Sequence, residues 1–145
     1  MLNRDLISTL TLTINAPVAK VWDGLTNPAM IKQWLFGTDT KTTWEPGSDL
    51  IFSGEWSGQA YEDKGKVVVF EPEKVLEYTY WSAFSKLPDA PENYSRVRFV
   101  LSDKGDITEM VVTQTGFTGE EAKQHSMDNW RSTLGKMKEL VEENN

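Results

Sequence analysis

The stretch LTLTINAPVAKVWDGLTNPAMIKQWL, residues 10–35, decides the fold. Leu10, Leu12 and Ile14 alternate with Thr11 and Thr13, the period-two pattern of a strand with one buried face. The alternation stops at Ala16-Pro17. Proline lacks an N–H and suits the first turn of a helix, where that donor would have no partner. Val18, Val21, Trp22 and Leu25 then recur at i, i+3, i+4 and i+7, one apolar helical stripe. Asn27-Pro28 repeats the start signal with a capping side chain, and Ile31, Trp34 and Leu35 supply the inner face of a second short helix. A strand followed by two small helices is predicted.

Downstream, residues 38–117 read as strands and turns. Leu50, Phe52, Gly54 and Trp56 alternate with Ile51, Ser53 and Glu55. Val67 to Phe70 is a short apolar run closed by the turn Glu71-Pro72-Glu73. Leu76, Tyr78 and Tyr80 alternate with Val75, Glu77 and Thr79, and Val97, Phe99 and Leu101 with Arg96, Arg98 and Val100. Met110, Val112 and Gln114 alternate with Glu109, Val111 and Thr113, after a hairpin turn at Asp103-Lys104-Gly105-Asp106. Gly65 and Gly105 are both read as turn residues, where a positive φ needs glycine. The connections are too short for parallel crossovers, so the sheet is predicted to be antiparallel. Ser82 to Asn93, with Pro88 and Pro91, reads as an edge loop of the length that lids and binding loops have. Thr118 with Glu121 forms a capping-box pair opening a long final helix. Met127, Trp130, Leu134, Met137 and Val141 share one side of that helix; Glu121, Asp128, Glu139 and Glu142 take the other.

The 145 residues fit one domain, predicted to span 1–145, and suffice for a core without staples. Fifteen Lys and Arg against 22 Asp and Glu give a formal charge of −7. A surface that acidic repels phosphate backbones, which excludes sequence-independent nucleic-acid binding. The absence of cysteine removes disulfides, thiol catalysis and thiolate metal sites together. His125 is the only histidine, so no His pair is available for zinc or iron, and no cofactor is expected. No apolar run approaches the length of a membrane span. The segment MLNRDLISTL lacks the basic start and apolar run of a secretory signal, and cytoplasmic residence is the expectation.

The order strand, two short helices, antiparallel strands, long amphipathic helix is the helix-grip plan, an α+β architecture. At the residue level the chain resembles the START-like (SRPBCC) superfamily, and within it the activator of heat-shock protein 90 ATPase homologue family. The resemblance is carried by Ala16-Pro17-Val18-Ala19-Lys20-Val21-Trp22, Asn27-Pro28, Ile31-Lys32-Gln33-Trp34-Leu35 and Gly65-Lys66-Val67. It continues through Glu71-Pro72-Glu73-Lys74-Val75-Leu76, Thr113-Gln114-Thr115-Gly116-Phe117, and Asn129-Trp130 with Leu134. Gln114 stands where family members often have His, and Asn129 where they often have Gly. The eukaryotic co-chaperones carry a separate N-terminal chaperone-binding domain, for which this chain has no room.

The resemblance implies a cavity between sheet and helix that takes apolar small molecules. Its counterpart in the residues is the supply of aromatics: six Trp, four Tyr and six Phe. The candidate lining is Trp34, Trp44, Phe52, Trp56, Tyr61, Tyr78, Tyr80, Phe99, Gln114, Trp130 and Leu134, with Trp81 beside them. Such pockets are mostly apolar with a few placed polar groups. Gln114 shares a strand face with Met110 and Val112 and points inward, so its amide needs a hydroxyl, a water or a ligand. His125 falls on the acidic side of the last helix and reads as solvated. Arg96 and Arg98, opposite Val97 and Phe99, read as solvated too, as do Glu45, Glu55, Glu62 and Asp63. No catalytic constellation is evident. Binding of a small hydrophobic or aromatic molecule is the leading expectation. The alternatives are a protein-interaction module, for a chaperone or a second copy of the chain, and an enzyme of the polyketide cyclase or dehydratase type.

Overall fold

A computed structural model describes residues 2–143, the side chain of Trp56 excepted. Chain order is β1 (Asn3–Ile14), α1 (Val18–Thr26), α2 (Pro28–Trp34), β2 (Asp39–Lys41), β3 (Asp49–Trp56), β4 (Gln59–Glu71), β5 (Val75–Tyr80), a 3-10 turn (Pro91–Asn93), β6 (Ser95–Asp103), β7 (Thr108–Phe117) and α3 (Glu120–Glu143). The strands form one curved seven-stranded sheet in the order β1-β7-β6-β5-β4-β3-β2. Every pairing is antiparallel, as the short connections require.

The first turns form for the reasons legible in residues 10–35. The Asn27 side chain accepts the Ala29 N–H at 3.0 Å, capping α2, and Pro28 follows as its first residue. Val18, Val21, Trp22 and Leu25 face the core from α1. The Trp34 indole N–H donates to the Gly24 carbonyl at 2.9 Å and ties α2 to α1. A Cβ on Gly24 would stand 2.8 Å from the Val141 side chain, so this glycine lets α1 approach α3 closely. From α3, Leu134, Met137 and Val141 are buried in the core that Ile14, Leu50, Leu76, Phe99, Met110 and Val112 build from the sheet.

Four local features differ from the sequence reading. β1 starts at Asn3 rather than near Leu10, because backbone pairing with β7 needs no apolar residues on the outer end of an edge strand. β4 reaches back from the Val67–Phe70 run to Gln59, pairing with β3 along polar positions that an apolar search passes over. Gly65 lies inside β4, not at a turn. A Cβ there would stand 1.8 Å from the Thr79 carbonyl oxygen, next to an irregular register between β4 and β5. Gly105 does take the turn conformation, with φ +86°. Finally, α3 begins at Glu120 and the Lys123 N–H donates to the Gly119 carbonyl, one residue past Thr118.

Candidate functional site

Aromatic side chains from three strands and α3 meet in sequence across the concave face. Tyr80 contacts Phe52, Phe52 contacts Tyr78, Tyr78 contacts Phe99, and Phe99 meets Trp130 edge-on at 5.7 Å and 88°. Within this chain lies an interior cavity of about 20 Å³, lined by Leu25, Ile31, Trp34, Leu35, Trp44, Phe52, Leu76, Tyr78, Phe99 and Trp130. Room for one water needs roughly 10–15 Å³. In this conformation the aromatics therefore fill nearly all of the space between sheet and helix.

Six of the residues singled out from the sequence line that cavity: Trp34, Trp44, Phe52, Tyr78, Phe99 and Trp130. Gln114, Tyr61, Tyr80 and Leu134 do not, and the side chain of Trp56 lies outside the described residues. Leu25, Ile31, Leu35 and Leu76 complete the wall. Their helical and strand periodicities marked them as core, and no further signal separates core from cavity lining.

Tyr78 is the polar group of this interior. It is 7 % exposed, and burial alone pushes its hydroxyl well above the ordinary tyrosine range, with no hydrogen bond or charge contributing. No hydrogen bond to the hydroxyl is found among the described residues. The fully buried side-chain polar atom without a partner among the described residues is Thr40 Oγ1, on β2.

Gln114 points inward and is held by protein groups. Its Oε1 accepts the Trp130 indole N–H and the Ser126 hydroxyl, each at 2.9 Å. Its Nε2 donates to the Ser95 hydroxyl at 3.3 Å, which in turn donates to the Tyr80 carbonyl at 3.2 Å. An indole N–H can only donate, which fixes the amide orientation. Both acceptor positions of Oε1 are occupied, so Gln114 acts on the cavity through Trp130.

Asp63, read from sequence as surface charge, is 7 % exposed. Its carboxylate accepts the Tyr80 hydroxyl at 2.6 Å and the Ala83 N–H at 2.8 Å, pinning the start of the 82–94 loop to β4. Burial first, then the charge of Asp63 and this bond, raise the Tyr80 hydroxyl far above its ordinary value. Tyr61 shares a hydroxyl–hydroxyl bond with Thr38, and Phe84 packs on its ring. Arg96 and Arg98 are exposed as read, but both reach the buried carboxylate of Glu77, at 3.3 and 2.8 Å. His125 is exposed. Among the described residues there is no metal-binding cluster and no helix long and apolar enough to cross a membrane.

A larger cleft of about 360 Å³ lies on the outer side of α3, lined by Trp34, Phe36, Ser132, Thr133, Gly135, Lys136 and Glu139. It is open and rimmed by exposed polar side chains. The candidate site is placed in the interior because the aromatic side chains converge there around Tyr78, whose hydroxyl has no hydrogen-bond partner among the described residues.

A curved antiparallel sheet gripping one long helix over an aromatic interior defines a helix-grip, START-like protein. The sequence model of the family described as Activator of Hsp90 ATPase homolog 1-like protein matches residues 15–142, and the chain belongs to that family. Among solved structures, ChR145 from Cytophaga hutchinsonii is 38 % identical, with a TM-score of 0.84 over 98 % of this chain and 97 % of its own. MLL2253 from Mesorhizobium loti is 26 % identical, with a TM-score of 0.78 over 97 % of this chain and 99 % of its own. CalU16 from Micromonospora echinospora shares the fold at 21 % identity, with a TM-score of 0.74 over 93 % of this chain and 75 % of its own. No curated protein matches the chain.

Proposed function

We propose that this protein binds a small, mostly apolar or aromatic molecule carrying one polar group, between the sheet and α3. Trp34, Trp44, Phe52, Leu76 and Phe99 would contact its body, and the Tyr78 hydroxyl would pair with its polar group. The observation that carries the reading is Tyr78, a buried residue that lines the one-water cavity and whose hydroxyl has no hydrogen-bond partner among the described residues. A folded chain tolerates such a group where something else satisfies it. Ligand sites of this kind run to several hundred Å³, so binding requires the wall to move. Three lining residues, Leu35, Trp44 and Trp130, are only partly buried and stand between the cavity and solvent.

The test pairs 1-naphthol with naphthalene, two probes that differ by one hydroxyl. Both are titrated against wild type and Tyr78→Phe by tryptophan emission. The variant should weaken 1-naphthol by about five- to tenfold, the worth of one hydrogen bond, and leave naphthalene within about twofold. Equal effects on both probes would remove Tyr78 from the site. Binding of neither probe to wild type would defeat the cavity reading and leave the protein-interaction alternative in front.

A further inference from the structure

We propose that Trp130 is the door of the interior cavity and that Gln114 is its latch. This rests on the reading that the cavity admits a ligand, and adds the route and its control. Seven of the ten lining residues are buried, leaving Leu35, Trp44 and Trp130 between the cavity and solvent. Trp44 is the least free of these. Its backbone sits at φ +66°, its N–H donates to the Thr42 hydroxyl at 3.1 Å, and its ring stacks on Phe70 at 5.6 Å, which packs on Trp22. Leu35 closes α2, its N–H bonded to the Ile31 carbonyl, and frees little space by moving. Trp130 differs from both. Its backbone is regular helix, its ring leans edge-on against Phe99, and one directional bond, from its indole N–H to Gln114 Oε1, fixes its orientation.

Rotation of that indole away from Phe99 vacates far more room than the cavity now has. Because the ligand would occupy the vacated space, Trp130 stays out in the bound state. The latch then stabilises only the closed, unliganded form, and apparent affinity falls by the open fraction. Gln114 is thus a positioning residue: it sets how often the door opens and does not touch the ligand. The network behind it, Ser126 on Oε1 and Ser95 on Nε2, keeps the amide from turning with the indole.

The experiment measures naphthalene association and dissociation by stopped flow, read from naphthalene emission, in wild type, Gln114→Met, Trp130→Phe and the double variant. Each single change removes the same bond and should raise the association rate five- to tenfold, with dissociation within twofold. The double variant should be no faster than either single one, since the shared bond is lost only once. Unchanged rates in the single variants, or accelerations that multiply in the double, would overturn the latch. Exchange of the Trp130 indole proton, followed by NMR without ligand, separates this proposal from the cavity reading. Slow exchange in wild type, faster by five- to tenfold in Gln114→Met with β7 amides unchanged, supports the door even if no probe binds any variant. Such probe failure defeats the cavity reading alone, whereas indole exchange as fast in wild type as in the variant defeats the door.

Discussion

Gly65 shows how a single missing Cβ shapes the sheet around the site. The strand β4 passes so close to β5 here that a methyl group would fall 1.8 Å from the Thr79 carbonyl oxygen, a backbone atom that cannot turn aside. At Gly54, on the neighbouring strand, the atom in the way is the Tyr61 hydroxyl at 2.8 Å, the far end of a side chain that can shift. Gly65→Ala is therefore expected to cost about 3 kcal/mol or more in urea unfolding, and Gly54→Ala about 1 kcal/mol. Equal costs would mean that β4 and β5 yield easily. Asp63, two residues earlier, teaches a related lesson. The residues around it, Glu62 and Lys64, are polar, so nothing in the sequence distinguishes a buried carboxylate from exposed charge. Only the pairing of β4 with β3, and the approach of Tyr80 and the Ala83 N–H, reveal its role.

At the level of elements, α3 is fastened at its far end as well as through its apolar stripe. The Glu142 carboxylate accepts the Asn15 N–H at 2.7 Å and the Lys138 ammonium at 2.6 Å. Those bonds, the lysine's first, hold its pKa below the ordinary glutamate value. A depressed folded pKa gives stability that is present above the unfolded pKa of about 4.3 and is lost as pH falls through the lowered folded value. Glu142→Gln should cost about 1–2 kcal/mol at pH 7, and the gap to wild type in chemical denaturation should shrink steadily below about pH 4. A gap independent of pH would assign the tether to packing alone. The α3 stripe was legible because five residues at helical spacing must face something apolar. The strands carried by alternation, β3 and β5 to β7, were legible for the same reason. The outer ends of β1 and β4 were not, since backbone pairing and long-range side-chain bonds, such as Arg4 to the Tyr94 carbonyl and Asp63 to Tyr80, hold polar residues there. Gln114 was legible as an inward amide among apolar neighbours. Its partners were not, because Ser95, Ser126 and Trp130 come together only when β6, β7 and α3 pack.

The molecule as a whole has one structural asymmetry. The sheet curves around α3, and almost all the space between them is filled by rings, leaving about 20 Å³ that Tyr78 helps to line. The roomier cleft of about 360 Å³ lies outside, across Phe36, Ser132 and Lys136. Volume alone favours the outer cleft; the converging rings, the Tyr78 hydroxyl without a partner among the described residues and the partly buried Trp130 favour the interior. The most direct measurement is intermolecular NOE mapping of 1-naphthol on the wild-type protein. Binding in the interior predicts contacts from the naphthol ring to Phe99 and Leu76, with the Trp130 indole signal displaced from its ligand-free position. Saturable binding with contacts confined to Phe36, Ser132 and Lys136 would contradict the account.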